Sequence, residues 1–197
     1  MGNKHKHRRV YCTGCITHQD DKIRIKKIKL GFYGDYQVGK SSIINSILGV
    51  EFNNDILTTI GYDKLETNYQ IKKDISKKLI LWDTPGQERF RTIALKSLKY
   101  VNGIVIVFDL TNKKSFENLD HWISDIYEYV DDKIPIVLLG NKADCDIERR
   151  EVNEEEIKVY ALRKKLKYFD VSAKTSEGIN YALKYIMDEI INKYDII

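Results

Sequence analysis

The residues with the clearest chemical potential form a short glycine-bounded segment near the start of the chain. Positions 34–41 read G-D-Y-Q-V-G-K-S and fit the pattern G-x-x-x-x-G-K-[ST]. In such a loop the backbone N–H groups surround the phosphates of a nucleotide, the lysine reaches the β- and γ-phosphates, and the hydroxyl binds Mg²⁺. The residues predicted to contact the nucleotide here are Asp35, Tyr36, Gln37, Val38, Gly39, Lys40, Ser41 and Ser42.

A second block, D-T-P-G-Q at positions 83–87, supplies groups that act near a γ-phosphate. The Asp83 carboxylate can hold Mg²⁺ through water. Gly86 leaves a backbone N–H free to approach the γ-phosphate, and Gln87 can both donate to and accept from an attacking water. We therefore expect Gln87 to be the catalytic residue. This interpretation depends on the preceding segment at 34–41, which we call the phosphate loop, because D-T-P-G alone is an ordinary turn.

Two later motifs, N-K-x-D and S-A-K, carry groups that suit a guanine edge. The Asp144 carboxylate can accept two hydrogen bonds, from the ring N–H and the exocyclic amine of guanine, and adenine cannot supply that pair. Because the wrong base would leave a buried carboxylate unpaired, such a site can favour the correct base by a factor of roughly 10⁴. We expect Ala173 to offer its backbone N–H to the guanine carbonyl and the lysine stems to cover the ring faces. The predicted base-binding residues are Asn141, Lys142, Asp144, Ser172, Ala173 and Lys174.

Alternating apolar patterns predict the strands and helices that must position these motifs. From residue 26 onward, strand-like stretches alternate with amphipathic helical stretches. Two continuous apolar runs, at 103–109 and 134–140, are typical of strands that helices cover on both faces. Ser115 and Asn153 are plausible helix starts. The predicted strands are 26–33, 62–71, 77–83, 103–109, 134–140 and 168–171, and the predicted helices are 40–48, 116–130, 154–166 and 177–193.

The order of these elements predicts the fold class. The second and third strands form a predicted antiparallel pair joined around Lys73 and Asp74. Every motif lies just after a predicted strand, which is where a doubly wound α/β sheet binds its ligands. We expect a single α/β domain with a six-stranded, mostly parallel sheet and helices on both faces. Its expected bounds are 26–193, with a basic flexible N-terminal extension at 1–25 and a short C-terminal end at 194–197.

Composition and charge narrow the class of protein. A chain of 197 residues, 43% hydrophobic and 31% charged, is sufficient for one soluble domain with a sizeable core. It has no apolar run of the roughly 20 residues that span a membrane, no secretory signal and only three cysteines, as expected for a cytoplasmic protein. The basicity belongs to positions 1–29, where nine lysines and arginines outnumber two aspartates. We expect this tail to attract an anionic membrane surface, and no nucleic acid to bind, since the domain shows no basic face.

The four blocks, in this order and at this spacing, resemble the small GTPases of the Ras superfamily. The segments W-D-T-P-G-Q-E-R-F at 82–90 and T-I-G at 59–61 are most similar to its Rab branch. The resemblance extends over about residues 26–193. It implies a P-loop GTPase domain that binds GTP or GDP with Mg²⁺ as the cofactor.

The resemblance also implies how the protein would switch. Thr59 would bind Mg²⁺ only when the γ-phosphate is present, residues 85–100 would form a second switch, and Phe52 would lie edge-on to the guanine. The implied metal ligands are Ser41, Thr59 and Asp83. Hydrolysis would release both switches from the state that binds partners. An exchange factor, a GTPase-activating protein and effectors would act through them, in vesicle traffic on the cytosolic face of an intracellular membrane.

Four positions depart from the family pattern. Tyr36 and Gln37 stand where the family usually has small residues, and Tyr36 would occupy the entry of an activator's arginine finger, a group worth roughly 10³–10⁵ in rate. We therefore expect slow hydrolysis and a poor response to ordinary activators. Pro85 replaces the usual alanine without removing the N–H of the next residue. Lys64 stands where an aromatic residue normally packs, on the usual partner surface.

Two other functions compete with a hydrolysing switch. A pseudo-GTPase would hold guanine nucleotide as a structural ligand and recruit partners without cycling. Tyr36 and Gln37 favour that alternative, whereas Gln87 and Thr59 favour hydrolysis. A phosphoryl-transfer kinase is disfavoured, because two motifs select guanine and the sequence shows no acceptor lid.

The ends of the sequence bear on membrane attachment. Residues 192–197 contain no cysteine for prenylation, so we expect either a truncated product or an anchor elsewhere. Gly2 begins a partial match to the N-myristoylation motif, and Cys12 and Cys15 could carry a second acyl chain, which would make membrane binding stable. A simple disordered extension is one alternative. Another is half of a zinc site made by the two cysteines with His18, although no second pair completes it.

Overall fold

A computed structural model of the chain describes residues 26–53, 59, 61–130 and 134–196. The predicted N-terminal extension, with the candidate acylation sites Gly2, Cys12 and Cys15, lies outside the described residues. Among the helices that are described, none combines the length and the apolar character needed to cross a membrane. The expectations about the tail therefore stay predictions.

A six-stranded sheet forms the centre of the domain, as predicted. Its strands are β1 (Lys27–Tyr33), β2 (Asp63–Lys72), β3 (Ile75–Asp83), β4 (Gly103–Asp109), β5 (Ile136–Asn141) and β6 (Lys167–Asp170). They lie in the order β2-β3-β1-β4-β5-β6, with β2 antiparallel to β3 and the other neighbours parallel. The sheet extends from β1 to β3 on one side and to β4 on the other. The loop after β1 consequently lies at the switch point, where such sheets bind ligands.

Helices cover both faces of this sheet. They are α1 (Lys40–Ile47), α2 (Arg91–Lys96), α3 (Lys113–Glu117), α4 (Leu119–Tyr129), α5 (Glu154–Lys164) and α6 (Ile179–Tyr194). The apolar residues of α1 and α6 pack on one face, and those of α2 to α5 pack on the other. The predicted fold class is thus confirmed.

The side chains of β4 contribute to two hydrophobic cores, one on each face of the sheet. In β4, Val105 and Val107 belong to the core under α1 and α6, whereas Ile104, Ile106 and Phe108 belong to the opposite core. Burying such a side chain contributes roughly 1.5–3 kcal/mol. A strand that is stabilised from both sides needs apolar residues at every position, which explains the continuous apolar run in the sequence.

The predicted helix at 116–130 is in fact two helices, and its predicted start at Ser115 is wrong. The Asn112 side chain accepts a hydrogen bond from the Ser115 N–H, so Asn112 is the N-cap of α3. The Ser115 hydroxyl accepts from the backbone N–H of Asp109 at 3.0 Å and is committed to the end of β4. A start at Asn153 is confirmed, where a capping box begins α5.

Other ends of strands and helices differ from the prediction for local reasons. The run predicted as a strand from residue 134 becomes regular only at Ile136, because Pro135 has no N–H to donate to a strand ladder. The last predicted helix begins two residues later than expected, after Gly178, whose φ is 73°. The short helix α2 was not predicted at all, since its six residues give too little periodicity.

Candidate nucleotide-binding site

The loops after β1, β3, β4, β5 and β6 surround an open cavity of about 710 Å³ at the carboxyl ends of the strands. That volume suits a small-molecule ligand. Of the residues predicted from sequence, those that line it are Tyr36, Gln37, Gly39, Lys40, Ser41, Ser42, Phe52, Thr59, Gly86, Asn141, Lys142, Asp144, Ala173 and Lys174. Asp35, Val38, Asp83, Gln87 and Ser172 are absent from this lining.

Six lining residues were not anticipated. They are Asn53, Thr84, Thr111, Cys145, Asp146 and Arg149. Three of them, Asn53, Thr84 and Cys145, directly adjoin a predicted residue, and this adjacency is the signal that could have indicated them. Thr111 follows β4, a strand end that carried no motif.

Two glycines bend the phosphate loop into its shape. Gly34 has a φ of 139° and Gly39 a φ of 95°, in the region that disfavours other residues. A Cβ at Gly34 would collide with the carbonyl of Val107, and one at Gly39 would collide with the side-chain amide of Asn141. Helix α1 begins directly after Gly39, and its first turn lines the cavity. The free N–H groups and the positive end of the helix dipole there favour an anion.

Lys40 is a cation that the fold buries. The residue is 6% exposed, and its Nζ donates to the carbonyls of Gly34 at 2.9 Å and Asp35 at 2.7 Å. Burial lowers the pKa of the Lys40 ammonium to about 8, and the carboxylates of Asp83 and Asp35 oppose that shift. At neutral pH the group is therefore still charged, and a phosphate would complement it.

Three oxygen-bearing side chains meet beside Lys40. The hydroxyl of Ser41 lies 2.5 Å from Asp83 Oδ2, and the hydroxyl of Thr59 lies 3.3 Å from both of those oxygens. Burial raises the pKa of the Asp83 carboxyl, while the Ser41 hydrogen bond and Lys40 lower it. Asp83 Oδ1 is buried and has no hydrogen-bond partner in the described part of the chain. A hard oxygen set with an unsatisfied carboxylate oxygen fits Mg²⁺.

The end of the cavity predicted to bind the base is fixed by hydrogen bonds within the protein. Asp144 Oδ1 accepts from the Ser172 hydroxyl at 2.6 Å, and Lys174 Nζ lies 3.8 Å from Asp144 Oδ2. Ser172 itself is fully buried. Ser172 therefore contacts the predicted base-recognition carboxylate rather than the cavity.

Asn141 connects three segments of this end. Its Nδ2 donates to the carbonyl of Val38 at 2.9 Å, and its Oδ1 accepts from the N–H of Ala173 at 3.0 Å. The N–H expected to reach a guanine carbonyl is thus engaged with Asn141 in this structure. The contact between Ala173 and guanine stays a prediction.

Lys142 shows a connection that the sequence did not indicate. Its φ is 67°, and its Nζ forms an ion pair at 2.5 Å with Asp109 Oδ2 at the end of β4. Asp109 is 5% exposed and also accepts from both the N–H and the hydroxyl of Thr111. The stem of Lys142 is therefore held along the cavity wall, where the prediction requires it to cover a ring face.

The end of the cavity predicted to contact the γ-phosphate is less constrained. Gln87 Oε1 accepts from Arg89 Nε at 2.8 Å, so the predicted catalytic side chain bonds a neighbour in its own segment. Tyr36 is 41% exposed at the mouth of the cavity, and Gln37 is exposed with a φ of 60°. Gly86 lies against the phosphate loop, because a Cβ there would collide with Asp35 O and Lys40 Nζ.

Comparison with known proteins gives a consistent result. The model of the Ras family matches residues 29–192. Ras-related protein Rab-13 of Canis lupus familiaris is 38% identical over 166 residues, which cover 84% of this chain and 80% of the relative. Ras-related protein Rab-8B of Homo sapiens is 37% identical over 167 residues, 84% of this chain and 79% of the relative. Ras-related protein SEC4 of Candida albicans is 36% identical over 166 residues, with coverages of 82% and 78%.

Proposed function

Because this chain belongs to the Ras family and is a Rab-like small GTPase, we propose that it binds Mg²⁺ with GTP or GDP, hydrolyses GTP and acts as a switch in vesicle traffic. One observation carries the proposal. A single cavity is lined by Lys40 with its buried ammonium, by Ser41, whose hydroxyl is bonded to Asp83, and by Asp144 with its carboxylate. The traffic role, on the cytosolic face of an intracellular membrane, is supported by the likeness to Rab proteins.

The proposed binding mode uses each part of the cavity once. The first turn of α1 and Lys40 would hold the β- and γ-phosphates, and Asp144 would accept from the guanine edge. Ser41, Thr59 and Asp83 would hold Mg²⁺, which supplies neutralisation of the charge on the phosphate oxygens. Phe52, 40% exposed and on the cavity wall, would border the base.

Hydrolysis requires movement at the γ-phosphate end. To orient an attacking water, Gln87 must exchange its bond from Arg89 for one to that water. Tyr36 at the cavity mouth would obstruct an arginine supplied by an activator. We therefore propose slow intrinsic turnover and weak stimulation by activators.

Nucleotide binding and single-turnover hydrolysis test this proposal. Protein stripped of nucleotide is titrated with GDP, GTP, ADP and ATP in Mg²⁺, and phosphate release from bound GTP is followed. We expect the guanine forms to bind at least 10³ times more tightly than the adenine forms, and a slow Mg²⁺-dependent release of phosphate. Equal affinity for the two purines would contradict the proposal.

The proposed γ-phosphate end of the cavity also supports a second candidate function. The engagement of Gln87 by Arg89 and the exposed side chains of Tyr36 and Gln37 favour a protein that holds GTP without hydrolysing it. Such a protein would recruit partners through a permanent GTP-bound form. Tightly bound GTP with no phosphate release would identify it.

Membrane attachment is proposed through the basic extension, with Gly2, Cys12 and Cys15 as acylation sites. Its support is the partial motif and the excess of positive charge in the first 29 residues. The intact mass of protein from eukaryotic cells checks it. An unmodified mass would rule out acylation and leave only electrostatic attraction.

Regulators and effectors are proposed to act at residues 85–100 and around Thr59.

A further inference from the structure

One carboxylate ties the phosphate loop to the helix layer behind it. Asp35 Oδ1 accepts from Trp122 Nε1 at 2.7 Å, and Asp35 Oδ2 accepts from Asn118 Nδ2 at 2.6 Å. Both oxygens are thus used at helix α4, and the side chain does not line the cavity. The main-chain carbonyl of the same residue accepts from Lys40 Nζ at 2.7 Å. Asp35 therefore joins the helix layer to the cation that is proposed to bind the phosphates.

The indole of Trp122, which donates to Asp35, also contacts a cation of α2. The guanidinium carbon of Arg91 lies 4.3 Å from the centroid of the Trp122 ring. Arg91 Nε forms an ion pair at 2.5 Å with Asp125 Oδ2, one turn further along α4. A stacked, charge-paired guanidinium is a specific contact, and it fixes the ring against which it lies. Trp122 is 1% exposed, so its position is also set by packing.

The segment from Gly86 to Arg91 meets Asp35 from two directions. At one end Gly86 approaches the Asp35 carbonyl so closely that a Cβ would not fit. At the other end Arg91 reaches the Asp35 carboxylate through the indole of Trp122. The segment that would respond to the γ-phosphate thus contacts the phosphate loop both at the main chain and, through one ring, at a side chain.

We infer that Asp35 is a positioning residue through which Arg91 and Trp122 couple the second switch to the retention of nucleotide. While Arg91 stacks on Trp122, the indole N–H stays on Asp35, and the loop keeps the shape in which Lys40 faces the phosphates. A partner that withdraws Arg91 loosens this arrangement and speeds nucleotide release. By linkage, bound nucleotide opposes such a partner. The inference rests on the proposed function, since the ligand released is the proposed guanine nucleotide.

Matched tryptophan variants test the hydrogen bond. Trp122→Phe keeps an aromatic ring but removes the donor to Asp35. Trp82→Phe is the control, because Trp82 is also buried (4% exposed) and its Nε1 has no hydrogen-bond partner among the described residues. The dissociation of fluorescent GDP in Mg²⁺ is measured for both. We expect about tenfold faster release from Trp122→Phe, the value of one hydrogen bond to a charged group, and less than a twofold change for the control.

A second pair of variants tests the same bond without altering a buried ring. Asp35→Asn leaves one acceptor oxygen where two donors converge, and we again expect about tenfold faster release. Asp188→Asn is its control, since that carboxylate accepts from Lys184 at 2.7 Å on α6, a helix of the opposite layer. Thermal unfolding of each nucleotide-free variant separates a loosened loop from general destabilisation.

A double-mutant cycle tests the coupling to Arg91. We expect Arg91→Gln to accelerate GDP release about fivefold in the wild-type background. In the Trp122→Phe or Asp35→Asn background we expect less than twofold, because the bond between Trp122 and Asp35 is already lost. Arg163→Gln is the control, a guanidinium that lies 5.3 Å from the centroid of the Tyr160 ring on α5. It should leave release unchanged in every background.

The possible outcomes separate this inference from the proposed function. Unchanged release in Trp122→Phe and Asp35→Asn, or equal acceleration in their controls, would overturn the positioning role while tight GDP binding still stood. Independent effects of Arg91→Gln and Asp35→Asn that simply multiply would overturn the coupling. Failure of the wild-type protein to prefer GDP over ADP would overturn both proposals together.

Discussion

The end of the cavity predicted to bind the base and the end predicted to contact the γ-phosphate are organised differently. At the base end, Asn141 is 2% exposed and Ser172 fully buried, and both hold neighbouring groups in place by hydrogen bonds within the protein. At the γ-phosphate end, Tyr36 and Gln37 are exposed and Gln87 bonds a residue of its own segment. The groups proposed to recognise the base are thus held by contacts within the protein, whereas the proposed hydrolysis would require Gln87 to exchange its bond from Arg89. The departures from the family pattern in the phosphate loop, at Tyr36 and Gln37, fall on the end that is less fixed.

The largest effect should come from the base end. Asp144→Ala removes both acceptors for the guanine edge while its partner Ser172 stays in place. We expect GDP affinity to fall by roughly 10³ and the preference for guanine over adenine to be lost. Equilibrium titration with both diphosphates measures this. Glu148→Ala, an exposed acid in the same loop, is the control and should bind GDP normally.

Gly86→Ala should separate the two ends. The new Cβ would collide with Asp35 O and Lys40 Nζ, so the segment must move away from the phosphate loop. We expect single-turnover hydrolysis to fall roughly 100-fold, as for the loss of one main-chain donor at a reacting centre, with the preference for GDP over ADP unchanged. Gly61→Ala is the control, since its Cβ would meet no described atom within 4 Å. An equal loss of the preference for GDP over ADP would show that the two ends are not independent.

Tyr36→Gly should act on the γ-phosphate end alone. Removing the half-exposed ring opens the cavity mouth, and we expect intrinsic hydrolysis to rise about tenfold, which corresponds to about 1.4 kcal/mol of barrier. Stimulation by an activator should rise by a larger factor, because the entry for an arginine becomes free. Unchanged turnover in both assays would remove Tyr36 as the cause of the slow hydrolysis that we propose. The guanine preference serves as the internal control and should stay as in the wild type.

The smallest effect should be one of stability. Gln37 has a φ of 60°, a left-handed conformation that costs a residue with a Cβ about 1 kcal/mol. Gln37→Gly relieves that cost but gains freedom in the unfolded chain, so we expect a net gain of about 0.5 kcal/mol and a Tm rise of about 1–2 °C. Lys165→Gly, at φ 56° after α5, is a matched variant and should gain similarly. A loss of stability confined to Gln37→Gly would show that its side chain makes a stabilising contact.

Much of the fold and of the cavity lining could be predicted because the signals are local. Each nucleotide-binding motif occupies a few consecutive residues after an apolar strand, so the strand periodicity and the motif indicate the same place. Of the six residues predicted from the N-K-x-D and S-A-K motifs to bind the base, five line the cavity and Ser172 does not. The helix start at Asn153 was predicted from a similarly short pattern, and the structure shows a capping box there.

What the sequence did not reveal depends on contacts between distant residues. Asp35 was predicted as a phosphate-loop residue, but its carboxylate partners Asn118 and Trp122 lie 83 and 87 positions away. Asn118 lies at the break between α3 and α4, where the sequence predicted one continuous helix. Asp109 likewise had no motif, and its role appears only where Lys142 reaches it. The bond between Arg89 and Gln87 depends on the local shape of a short 3₁₀ turn that the pattern did not predict.

The bonds of Asn141 limit how the specificity of this cavity can be redesigned. The same amide reaches the phosphate loop at Val38 and the S-A-K loop at Ala173, and it fills the space that a side chain at Gly39 would need. An engineered change at this position would disturb phosphate affinity together with base choice. A variant meant to accept an unnatural purine, for use as an orthogonal probe in a cell, should therefore be sought at Asp144, where the carboxylate can be altered without loosening the triphosphate end.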